Sequence, residues 1–119
     1  MTYINTLKRL AHMKVFDIKD MIGGWFIGDF EPSVFTTKDF EVCYKVHPKG
    51  EEWDTHYHKI STEINYVIRG EMKINDESLK EGDIFVLEPN EVAKPEFLTD
   101  CELIVVKTPS VKNDKYVLN

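Results

Sequence analysis

No apolar run in this chain approaches the ~20 residues a membrane-spanning helix needs, and its start has no apolar stretch of the secretory kind. Both absences point to a cytoplasmic protein. Cysteine is scarce: Cys43 and Cys101 are the only two, in strand-like segments outside any paired-ligand motif. A disulfide framework needs more of them, so both are expected as buried thiols. Positive charge is nowhere concentrated, and 15 Lys and Arg stand against 21 Asp and Glu for a net charge of −6. Binding to nucleic acid through its phosphates is therefore not expected. Nor does the chain contain an internal repeat, a linker or a low-complexity stretch. With 119 residues and 42% hydrophobic residues it has the size and apolar content of one domain with a true core.

What is present reads mostly as β-strand. Ile4, Leu7, Leu10 and Ala11 recur at helical spacing, which predicts one short helix over residues 3–12. Beyond Met13 come KVFDI, WFIGDF and FEVCYKV, the last alternating Phe40, Val42, Tyr44 and Val46 with Glu41, Cys43 and Lys45. Such alternation marks a sheet with two unlike faces. EMKIN, ESL, DIFVL, KPEFL and CELIVVKT follow, separated by Gly, Asn, Asp and Pro turns. Eight or nine short strands at this density predict an all-β sandwich or a closed jelly roll. The tail SVKNDKYVLN is polar with an apolar end, suited to docking on the body or on a partner chain.

Within GEEWDTHYHKISTEINYVIRG, the residues Gly50, His56, His58, Glu63 and Gly70 carry the chemistry. Two histidines one residue apart project from the same face of a strand. Glu63 opens a second strand after the turn KIST, and a hairpin would bring its carboxylate beside the imidazoles. Two imidazoles and a carboxylate suit a divalent transition metal, whether Fe, Mn, Ni, Co or Zn. The spacing G-x5-H-x-H-x4-E-x6-G resembles the first motif of the cupin superfamily at every defining position.

That resemblance covers about residues 39–108 and implies a cupin-type jelly-roll β-barrel, with an arm over 1–38 and a tail over 109–119. The second cupin motif is a glycine, an apolar strand, a proline turn and a histidine that supplies a fourth ligand. Gly82 to Pro89 follow it, and Asn90 stands in for the turn glycine because Asn tolerates the left-handed conformation. At the histidine position stands Ala93, or Lys94 with the register shifted by one, so the fourth ligand is missing. Cupin sheets commonly pair about a two-fold axis, which makes a homodimer the expected assembly.

If Glu63 points inward, so should Asn65, Val67 and Arg69, with Ile64, Tyr66 and Ile68 facing out. Arg69 and Asn65 are thus candidate substrate contacts, and Trp53 a candidate for the barrel mouth. Lys94, Glu96 and Tyr44 are candidates for moving a proton. His12 and His47 are expected to be ordinary. Three classes of function stay open. The favoured one is a metal-dependent enzyme acting on a polar small molecule such as a sugar, sugar acid or ketoacid, as isomerase, lyase or oxygenase. The others are a metal-independent sugar isomerase or epimerase and a non-catalytic ligand-binding or sensing protein.

Overall fold

Alternating apolar and polar residues become strands wherever a turn residue lets the chain double back. The structure is a computed structural model and describes residues 13–118. The helix expected over 3–12 lies outside them. Among the described residues are ten strands: β1 (Trp25–Ile27), β2 (Glu41–His47), β3 (His56–Tyr57), β4 (Thr62–Arg69), β5 (Glu71–Ile74), β6 (Glu77–Lys80), β7 (Ile84–Leu87), β8 (Pro95–Phe97), β9 (Cys101–Thr108) and β10 (Tyr116–Val117). Among the described residues helical content is limited to two single 3₁₀ turns, Ile18–Asp20 and Ile22–Gly24. No helix among the described residues is long and apolar enough to cross a membrane.

The strands form a five-stranded sheet in the order β1-β2-β9-β4-β7, a three-stranded sheet β6-β5-β8 and a two-stranded sheet β10-β3. Their ladders do not join into one closed barrel. One apolar cluster draws Cys43, Val67, Leu103 and Val105 from the large sheet and Met72, Ile74 and Phe97 from the three-stranded one. Each such side chain taken from water contributes about 1.5–3 kcal/mol, which holds the two sheets face to face. Cys43 and Cys101 are buried free thiols, and burial pushes Cys43 up to about 12.

Turn chemistry fixes the register. Asn75 and Asp76 both take positive φ, as the tight hairpin between β5 and β6 requires. Asn90 has φ +72°, the left-handed conformation for which its amide suits it. Gly70 has φ +99°, and a Cβ there would lie 2.3 Å from the Asp100 carbonyl oxygen, so only glycine fits.

Two expectations are corrected. KVFDI, residues 14–18, forms no strand: Val15 and Phe16 are exposed and the segment leads into the first 3₁₀ turn. The strands that carry the motif do not pair as a hairpin either. β3 pairs with β10, whereas β4 pairs with β7 and β9, so the turn between β3 and β4 carries the chain from one sheet to another.

Candidate functional site

A cavity of about 210 Å³ opens between the sheets, and it gathers residues far apart in sequence. His56, on β3, and His58, just beyond it, enter from one side and Glu63, the second residue of β4, from the large sheet. Both histidines are buried. Each is oriented by a backbone carbonyl: His56 Nδ1 donates to Asp54 O at 2.9 Å, and His58 Nδ1 to Asp114 O. With the ring proton engaged at Nδ1, each ring presents its Nε2 lone pair. Desolvation pushes the pKa of His56 below its ordinary value, which keeps that lone pair available.

His58 Nε2 is buried and has no hydrogen-bond partner. It lies 3.3 Å from Glu63 Oε1, so a lone pair faces a carboxylate oxygen. Two acceptors at that range repel unless a proton or a cation sits between them. Ligands about 2.1 Å from one ion at near right angles stand about 3 Å apart, so the spacing suits two neighbouring metal ligands. Burial alone would raise the Glu63 pKa, but a proton or cation shared with His58, a 2.9 Å bond from Asn65 Nδ2 and the charge of Lys107 together hold it below its ordinary value. The carboxylate is held ionised. His56 stands back from this pair, its ring centroid 5.6 Å from that of His58. Among the described residues no group of three or more His, Cys, Asp or Glu side chains converges as a metal cage. The donor chemistry and the orphaned Nε2 fit a divalent metal, with His58 and Glu63 positioned as neighbours and His56 beside them.

The C-terminal tail docks on the body, one of the two places expected for it, and there it orients the site. Its Asp114 carboxylate accepts from the backbone N–H groups of Lys59, Ile60 and Ser61, while its backbone carbonyl accepts a hydrogen bond from His58 Nδ1. One residue therefore clasps the turn between the motif histidines and Glu63. A capture of three successive N–H groups by one carboxylate has no signal in a lone Asp of a polar tail.

Other expected residues divide sharply. Trp53 lines the cavity, its Nε1 donating to Glu51 Oε2 at 2.8 Å, and Asn65 is buried there. Ala93 also lines it, joined to His56 by reciprocal backbone hydrogen bonds of 3.0 and 2.8 Å. The second-motif position thus lies beside the first histidine, with a methyl in place of a ligand.

Arg69, Lys94, Glu96 and Tyr44 do not reach the cavity. A bulge after Val67 breaks the alternation of β4, leaving Arg69 exposed and paired with Glu102 at 3.5 Å. Lys94, just before β8, and Glu96, on it, are exposed and line instead a separate open pocket beside Glu52 and Asp54. Tyr44 lies on the outer face of β2, donating to Glu102 Oε1 at 2.7 Å. The inward face of β2 is the polar set instead, including Lys45 and His47. His47, expected to be ordinary, is buried in the cavity wall, stacked on Phe97 at 4.1 Å and bonded to Glu51. His12 lies outside the described residues.

No protein-family model and no curated protein matches the chain. Solved structures do. A double-stranded β-helix protein from Klebsiella pneumoniae aligns over 90% of this chain and 93% of its own, with TM-score 0.65 and 20% identity. An RmlC-like cupin from Shewanella frigidimarina aligns over 66% of this chain and 72% of its own, with TM-score 0.58 and 26% identity. Oxalate decarboxylase from Bacillus subtilis, described with Mn(II) centres, matches with TM-score 0.58 and 21% identity over 69% of this chain. The present chain spans only 25% of that enzyme's length. The fold is the cupin fold, a double-stranded β-helix.

Proposed function

We propose that this protein is a small cupin enzyme that holds one divalent transition metal on His56, His58 and Glu63 and acts on a polar small molecule such as a sugar acid or ketoacid. The orphaned Nε2 of His58, facing an ionised Glu63, carries this reading. Such a metal, when bound, supplies Lewis-acid polarisation of a carbonyl or enediol oxygen. The chain itself supplies orientation and shelter. Asp54 and Asp114 carbonyls fix the histidine tautomers, Asn65 holds Glu63, and Trp53, Phe97 and Leu103 give the cavity apolar walls that exclude water. The missing fourth ligand at Ala93 leaves room beside His56 for substrate. Three protein donors with open positions are enough for a catalytic ion.

Elemental analysis of untagged protein purified without chelator tests this. About one transition metal per chain is expected. Protein that is metal-free and takes up none on titration would transfer the reading to a metal-independent isomerase or a binding protein. The same proposal includes a homodimer, because Ile64, Tyr66, Ile84 and Val86 leave an exposed apolar stripe on the outer face of the large sheet. Light scattering is expected to give twice the chain mass.

A further inference from the structure

Three lysines that the sequence did not single out line the cavity: Lys45 on β2, Lys107 on β9 and Lys115 on the C-terminal segment. They come from three separate parts of the chain. Lys107 sits directly opposite Glu63 in the β4–β9 register, so both belong to the cavity face of the sheet. Among the described residues none of the three has a carboxylate within 4.0 Å. Two rest on aromatic rings instead, Lys107 Nζ 5.2 Å from the Trp25 centroid and Lys115 Nζ 4.3 Å from that of Trp53. An aromatic face holds an ammonium in place without neutralising it.

Three ammonium groups therefore face a cavity with one carboxylate of its own, in a chain whose net charge is −6. Cations gathered against the sign of the whole protein, and left unpaired, attract and hold an anion. The remaining wall is largely apolar, with Phe85, Leu87, Leu103 and Val105. Inorganic phosphate would leave that wall wet, whereas an organic acid would cover it with its carbon skeleton. A volume of about 210 Å³ suits a ligand of metabolite size.

We propose that the cavity is a receptor for a small organic carboxylate, with Lys45, Lys107 and Lys115 as its anion-binding residues. This rests on reading the cavity as a small-molecule site, but it does not require the metal. Calorimetric titration of chelator-treated protein with malonate, succinate and pyruvate tests it, with malonamide and inorganic phosphate as controls. At least one of the acids is expected to bind saturably, more weakly as salt rises, with malonamide and phosphate at least tenfold weaker. Lys107→Gln is expected to weaken that binding by tenfold or more. Lys115→Gln, at an exposed position that cannot disturb the core, is expected to weaken it several-fold.

Absence of binding by all three acids overturns the proposal, as does wild-type affinity in both lysine variants. Equal binding of phosphate reduces the site to a general anion patch and overturns the carboxylate class. Acid binding that appears only with metal present would assign the carboxylate to the ion rather than to the lysines, overturning this inference and leaving the metal reading intact. Conversely, His56→Ala that loses metal but still binds the acid when metal-free would separate the two in the other direction and support the lysine receptor.

Discussion

The two edges of the cavity that meet at the His56–Ala93 bridge have matching backbones and unlike side chains. On one edge, β3 and the turn after it carry two buried imidazoles, each tied to a carbonyl, with a carboxylate arriving from β4. On the other edge, the turn from β7 to β8 delivers Ala93, 1% exposed, hydrogen-bonded to His56 through both backbone groups. The backbone thus holds the second-motif position beside His56 although its side chain is only a methyl. Strand pairing and the Pro89-Asn90 turn set the scaffold, and ligand identity is a separate choice made on top of it.

Emptying the donor edge breaks this contrast most severely. His58→Ala removes the orphaned Nε2 and is expected to abolish stoichiometric metal binding, with less than a tenth of an equivalent remaining by elemental analysis. His56→Ala should do the same from a position farther from Glu63. Far-UV circular dichroism should be unchanged in both, because the sheets do not depend on either ring. Full metal content in the His58 variant would place the ion elsewhere.

The anchor of that edge is the next target. Asp114→Ala leaves three backbone N–H groups without their acceptor, and hydrogen bonds to charged groups contribute about 1.5–3 kcal/mol each before water repairs the loss. A net destabilisation of about 2–3 kcal/mol in urea unfolding is expected, together with weaker metal binding, because the backbone carbonyl of residue 114 remains but is no longer held in place against His58. A variant as stable as wild type would show the clasp to be decorative.

Much of this was legible in the sequence. Period-2 alternation marked β2 and β4, and the spacing of His56, His58 and Glu63 named the residues now found on one cavity. The failures have physical causes. Arg69 was assigned inward by parity, and parity cannot register a bulge. Tyr44 was favoured on β2, but the large sheet turns the polar side of that strand inward, presenting Lys45 and His47 to the cavity. Polar residues in a strand usually signal solvent, so a polar cavity inverts the ordinary reading. Lys107 and Asp114 act through partners about fifty residues away, and contacts at that separation leave no local pattern.

Filling the empty edge is a smaller change than emptying the full one. Ala93→His places an imidazole beside His56 and is expected to tighten metal binding about tenfold, roughly 1.4 kcal/mol. The measurement is a chelator-competition titration. No gain would mean that a side chain at position 93 lacks a path to the ion.

The smallest effect compares the edges by acidity, since the donor edge titrates and the Ala93 edge does not. In the folded protein desolvation holds the His56 pKa below its ordinary 6.5. Between those two values the unfolded chain binds more protons than the folded one, so stability rises with pH across that window and falls on acidification through it. Glu63, held below 4.5, and Asp114, held below 3.8, extend the same loss to lower pH, because their carboxylates stabilise the fold only while ionised. Metal-free wild type is therefore expected to lose melting temperature by a few degrees as pH drops from 7 to 5.5. His56→Gln, with no imidazole to protonate, should show a shallower slope over that interval and an unchanged one below pH 4. Equal slopes between pH 7 and 5.5 would mean that the acid sensitivity of the donor edge arises from another group.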